Sequence, residues 1–226
     1  NLDRRPDRWK ALIDRVLGCG WPFRFPQRVA AVDSRNLKAI PRPSWYADGN
    51  AAWACWHSHR RVVADAISAG VRRLLVLEDD AEPVADFARH AAAYLAALPE
   101  DWDVAYMGGN HRGTPIALPN NPRVVRATQV NWTQAYAVNG KFLPRLLDYL
   151  TDMDAVKGYV TTTRKKAHVD FWYEQAQKKQ LGNWYAPCRW LIQQAESHSD
   201  IRGKTMHNAT WRHCSRKGAA DFGGPA

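Results

Sequence analysis

Leu74-Leu75-Val76-Leu77-Glu78-Asp79-Asp80 is the stretch on which the fold turns. A short continuous apolar run reads as a β-strand buried on both faces. Acidic residues at its exit are costly unless something positive sits beside them. In open α/β sheets, ligands bind at the carboxyl ends of the strands. Hard carboxylate oxygens suit Mn²⁺ or Mg²⁺, above all where substrate phosphates complete the shell. Alternation along the strand sends Glu78 and Asp80 to the same side, which makes them the expected metal pair in preference to Asp79. The plainer reading is that the triplet favours the N-terminal dipole of a following helix.

On either side of this stretch, strand-like and helix-like segments alternate, which points to α/β. Asn1-Leu2 reads as the end of a first strand, and Asp3 as the cap of a helix from Arg4 to Leu17. Gln27 to Val32 reads as a second strand, and Lys38 to Tyr46, with Pro41 and Pro43, as a loop. A helix is expected from Asn50 to Ala69, with Trp53, Trp56, Val63 and Ile67 on one face and Arg60 snorkelling from the same stripe. Val84 to Leu98 reads as a helix ending at Pro99. Trp102 to Met107, Arg123 to Thr128 and Gln134 to Val138 read as strands, and Gly140 to Leu150 and Asp170 to Gln180 as helices. Residues 1–217 are expected to form one domain, with 218–226 a flexible tail.

The 226 residues are 46% hydrophobic and 24% charged, a globular composition that argues against wholesale disorder. No apolar run approaches the ~18 residues a spanning helix needs. No signal-peptide pattern opens the chain, and a start on Asn1-Leu2-Asp3 suggests that the true N-terminus is missing. Cys19, Cys55, Cys188 and Cys214 never form C-x-x-C, which speaks for reduced thiols and a cytoplasmic location rather than a zinc site or disulfide scaffold. The triplets Asn131-Trp132-Thr133 and Asn208-Ala209-Thr210 are read as chance. Lys and Arg outnumber Asp and Glu by 32 to 22, a net charge of +10. That balance fits nucleic acid, an anionic membrane or a phosphorylated substrate, and also fits a merely solubilising surface. Several of the 11 tryptophans suit a core, and others suit a sugar platform.

Several segments together resemble glycosyltransferase family 25. Asn1-Leu2-Asp3-Arg4-Arg5-Pro6-Asp7-Arg8 is similar to its N-L-x-x-R-x-x-R opening, and Ala54-Cys55-Trp56-His57-Ser58-His59 to its G-C-x-x-S-H segment, with alanine for glycine. Leu75 to Asp80 resembles its L-V-L-E-D-D metal motif, and Asp101 to Gly108 its D-W-D-x-x-x-L-G strand. Ala135-Tyr136-Ala137-Val138 with Lys141 resembles A-Y-x-I-x-x-K, and Ser199-Asp200-Ile201 resembles S-D-I. The matches run in order over residues 1–201. The resemblance implies a GT-A (Rossmann-like) mixed sheet flanked by helices, a UDP-sugar donor carrying glucose or galactose, a divalent metal, and inversion at the anomeric carbon.

On that resemblance, Asn1, Leu2, Asp3 and Arg5 hold the donor nucleotide, with Arg5 and Arg8 as phosphate cations. Ser58 and His59 reach the donor. Glu78 and Asp80 hold the metal, with His198, or else His207, as third ligand. Asp170, in His168-Val169-Asp170, resembles the P-V-D position and is the expected base, though an aspartate there also suits an ordinary helix cap. Trp172 or Trp132 would form the acceptor platform. The acceptor is either a bacterial glycan, lipooligosaccharide being the family's usual one, or DNA with hydroxylated bases as in modified phage genomes. The competing reading is a non-catalytic nucleic-acid binder built on basic runs such as Arg164-Lys165-Lys166, although no nucleic-acid motif accompanies them.

Overall fold

The computed structural model describes the backbone of residues 1–199 and 204–206 and the side chains of residues 1–196. Its centre is a six-stranded mixed sheet in the order β1-β6-β3-β7-β5-β4. These strands are β1 Arg73–Leu77, β3 Val104–His111, β4 Ile116–Leu118, β5 Asn121–Arg126, β6 Val130–Asn139 and β7 Trp184–Pro187. β3 and β7 pair in parallel and the other neighbours antiparallel. Two short antiparallel pairs join β2 Ala81–Pro83 to β8 Ile192–Gln194, and β9 Ser197–Ser199 to β10 Lys204–Met206. The architecture is α/β, of the Rossmann-like kind expected, with helices on both faces.

Strand alternation builds a core on each face. Val104, Tyr106, Tyr136, Val138 and Trp184 point to one side, where α2 Gly49–Ser68, α4 Leu143–Thr151, α5 Met153–Thr163 and α6 Val169–Lys178 pack. Ala105, Met107, Ala135, Ala137 and Tyr185 point to the other, against α1 Pro6–Gly18 and α3 Phe87–Ala97. β1 feeds both cores, Leu74 and Val76 into the first and Leu75 and Leu77 into the second. It lies at the sheet edge, however, and of the four only Val76 is buried, so the expectation of a strand buried on both faces needs correction.

The first two expected strands do not form. Asn1 N donates to Val29 O at 3.1 Å and Ala31 N to Asn1 O at 2.9 Å, a single parallel rung flanking Ala30. Asp3 does not cap α1, whose cap residue is Arg5, and it accepts from Arg28 at 2.6 Å instead. The helix expected from Val84 starts at Phe87, because β2 takes the residues after the acidic triplet. Trp172 is 0% exposed, stacked on Tyr149 in the first core, so it cannot be an acceptor platform. The proposed tail, 218–226, lies outside the described residues. No helix among the described residues is long and apolar enough to cross a membrane.

Gly108 holds β3 close to β8. A Cβ there would press into the Ile192 carbonyl and lie 2.9 Å from Gln134 Nε2. Gly108→Ala is therefore expected to destabilise the chain by roughly 1–3 kcal/mol. Thermal melts should show a fall in Tm of roughly 3–10 °C. An unchanged Tm would mean that β8 yields freely.

Candidate active site

β1 ends at Leu77 and the chain turns at once, with Ala81 N donating to Glu78 O at 3.0 Å. Strand alternation therefore stops before the triplet, and the argument that pairs Glu78 with Asp80 by alternation does not hold. The triplet divides instead. Thr133 Oγ1 donates to Glu78 Oε1 at 2.6 Å, and His59 Nε2 lies 3.5 Å from the same oxygen. Asp79 and Asp80 share Arg8 of α1, whose Nη2 is 2.8 Å from Asp80 Oδ2. Asn1 Nδ2 donates to Asp79 Oδ2 at 2.7 Å, and Gln194 Nε2 to Asp80 Oδ2 at 2.9 Å. Arg8 is thus the positive group that Asp79 and the buried Asp80 demand. β2 separates the triplet from α3, so it does not serve as that helix's cap.

The carboxylates feel one another. Burial drives the Asp80 carboxyl up to about 6, Glu78 and Asp79 add to this, and Arg8 and Gln194 oppose it. Burial also pushes Glu78 upward, but His59, Thr133 and Arg8 outweigh it and hold Glu78 below the usual range. Asp170 is raised by burial first and by Glu78, against His168 and the backbone N–H groups of Phe171 and Trp132. The Cys55 thiol, pushed well up by burial, senses Glu78, Asp170, Asp80 and Asp79 together. Those four carboxylates all push it in the same direction as burial.

β6 holds two of them with consecutive residues. Trp132 N–H bonds the Asp170 carboxylate, and Thr133 bonds Glu78. Trp132 has φ of 69°, a conformation that costs a bulky residue energy and recurs at functional sites. Asn131 is buried, which takes the first N-x-T triplet off the surface. Asp170 is in the first turn of α6, half-buried, with Oδ1 accepting from Phe171 N at 2.8 Å. The cap residue is His168, not Asp170.

Other expected residues sit less centrally. Of the opening loop, Asn1 makes the side-chain contact to the triplet. Leu2 is half-buried and its carbonyl accepts from Arg5 N at 2.9 Å, while the Arg5 side chain pairs with Asp7 at 2.8 Å. Ser58 Oγ accepts from Val32 N at 2.9 Å and donates to Ala54 O at 2.8 Å, a tie between loop and helix that engages the hydroxyl. His198 lies on β9, but its side chain is outside the described residues, as is His207.

Among the described residues no group of three His, Cys, Asp or Glu side chains forms a ready cage. Mn²⁺ and Mg²⁺ need fewer protein ligands when phosphates and waters complete the shell. Asp80 Oδ1 is buried with no hydrogen-bond partner, and Glu78 Oε2 takes none of the contacts that crowd Oε1. A buried carboxylate oxygen without a partner, as Asp80 Oδ1 is, suits a hard divalent cation. No protein-family model matches the chain, and no curated protein matches it either.

Proposed function

We propose that the chain is a metal-dependent inverting glycosyltransferase, of the GT-A kind its motifs resemble, that moves a hexose from a UDP-sugar to an acceptor hydroxyl. The observation that carries this reading is convergence. Asn1, His59, Glu78 and Asp80 come from separate segments that resemble the family, and they meet around one turn, bordered by Asp170. Asp80 Oδ1 and Glu78 Oε2 would hold Mn²⁺ or Mg²⁺, which neutralises a diphosphate leaving group when bound. Asp170 accepts the proton of the acceptor hydroxyl as it attacks; burial and Glu78 raise its proton affinity toward that task. The N–H groups of Phe171 and Trp132 hold its carboxylate in place. The half-buried Trp132 indole is the remaining candidate for a sugar platform. The thiols of Cys19, Cys55 and Cys188, none of them in a disulfide, suit the cytoplasm, where UDP-sugars are available. Calorimetry with UDP tests the donor site directly: binding should need Mn²⁺, and binding unaffected by chelator would contradict the reading.

The acceptor on this reading is anionic, DNA or a phosphorylated glycan. Arg164, Lys165 and Lys166 are exposed. The residue after them is pinned, with Ala167 N donating to Asp48 Oδ2 at 2.7 Å and Tyr46 OH to Ala167 O at 3.0 Å. The basic run therefore ends at a fixed point, Ala167, from which the chain leads directly into α6 and Asp170. Neutral substitutions at all three positions should raise acceptor KM and leave donor KM near wild type. They should also flatten the salt dependence, because each lost phosphate contact lowers the slope of log K against log salt by about 0.7–0.9. Assays with hydroxymethylated DNA and with a phosphorylated glycan decide between acceptors. An unchanged slope on both would assign these charges to solubility.

A further inference from the structure

β6 departs from regular pairing where it passes the site. Asn131 pairs with Asn110, and Ala135 with Gly108, across β3. Trp132, Thr133 and Gln134 therefore stand opposite Gly109 alone, a bulge of the kind that re-aims side chains beside active sites. The left-handed Trp132 lies within it. The bulge serves the carboxylates through Trp132 N–H to Asp170 and Thr133 Oγ1 to Glu78. The Gln134 carbonyl accepts from Glu78 N at 2.9 Å.

Around the bulge, three amide side chains each have a buried polar atom with no hydrogen-bond partner among the described residues. They are Asn110 Oδ1, Asn131 Oδ1 and Gln134 Nε2. Asn131 is 5% exposed and Gln134 2%, while Asn110 is half-buried, so solvent reaches the set at that end. Asn110 and Asn131 are ladder partners, yet neither Oδ1 accepts from the other amide. Unpaired buried polar atoms are costly, and native chains rarely keep them without a use. The three amides carry no charge, which makes them poor partners for a metal or a diphosphate. They suit hydroxyls, because a hydroxyl both donates and accepts and so answers an amide whichever end is turned toward it.

We propose that Asn110, Asn131 and Gln134 recognise the hydroxyls of the transferred hexose. The choice of ligand rests on the glycosyltransferase reading, and the unpaired amides do not. A site built to hydrogen-bond a hydroxyl discriminates steeply, because without that hydroxyl its buried groups stay unpaired. One bulge then does two jobs: it fixes Glu78 and Asp170, and it sets the amides that select the sugar.

Asn131→Leu and Gln134→Met remove the polar atoms at near-constant volume. Calorimetry with UDP, UDP-glucose and UDP-galactose, all with Mn²⁺, is paired with thermal melts of the ligand-free protein. Wild type should bind one UDP-hexose more tightly than UDP. Each variant should bind UDP as wild type does and that UDP-hexose about 3–10-fold more weakly. Without ligand, each variant should melt higher than wild type by roughly 2–6 °C, because an apolar group replaces an unpaired polar one. Variants that melt lower than wild type, or that keep its hexose preference, would overturn the proposal. A wild type that binds UDP and both UDP-hexoses equally would overturn it too. A wild type that binds no UDP would contradict the glycosyltransferase reading and the choice of ligand, while the melts would still decide whether the amides lack partners within the chain.

Discussion

Asp80→Asn is expected to abolish metal-dependent turnover of a UDP-sugar, by roughly 10³-fold or more, given the several kcal/mol that a Lewis-acid clamp supplies. It should also make the chain more stable near pH 7.5. The Asp80 carboxyl titrates at about 6 in the folded chain, against an ordinary 3.8. The folded state therefore holds the proton more tightly than the unfolded state. Stability from this group is full below about pH 4 and is lost as pH rises through 6. Asparagine imitates the protonated form, and Asp79 still pairs with Arg8. The variant should gain about 1–3 kcal/mol in urea melts at pH 7.5 and little at pH 4. A loss of stability at both pH values would make Asp80 a structural partner of Arg8 instead.

Asp170→Asn should lower kcat by roughly 10²–10⁴-fold, the usual worth of a general base, with UDP affinity close to wild type. The carboxamide keeps an oxygen for the N–H groups of Phe171 and Trp132, so α6 should start as before. Steady-state kinetics and calorimetry with UDP separate the two effects. Loss of donor binding along with turnover would place Asp170 in the nucleotide pocket.

Much of the sheet was legible because its strands feed two cores and so read as continuous apolar runs. The same property hid the edge position of β1, since pairing, not hydrophobicity, decides which strand is last. α5 escaped because Gly158 and the run Thr161-Thr162-Thr163 have poor helix propensity. The missed signal was Asp152, whose side chain accepts from Ala155 N at 2.9 Å and caps the helix. At the site, Glu78 to Asp80 stood out by residue type, and His59 only through the segment that resembles the family's. Thr133 and Gln194 did not, because each meets its carboxylate only through pairing of distant segments. Trp172 was misread because an aromatic count does not separate a platform from a core.

A screen of UDP-sugars for UDP release, with Mn²⁺ and then with chelator, tests the glycosyltransferase reading most directly. The proposed chemistry predicts release from a UDP-hexose that requires Mn²⁺, rises with acceptor and is lost in Asp80→Asn. Release from none of the donors in the presence of acceptor, or release that persists in chelator and in Asp80→Asn, would contradict it.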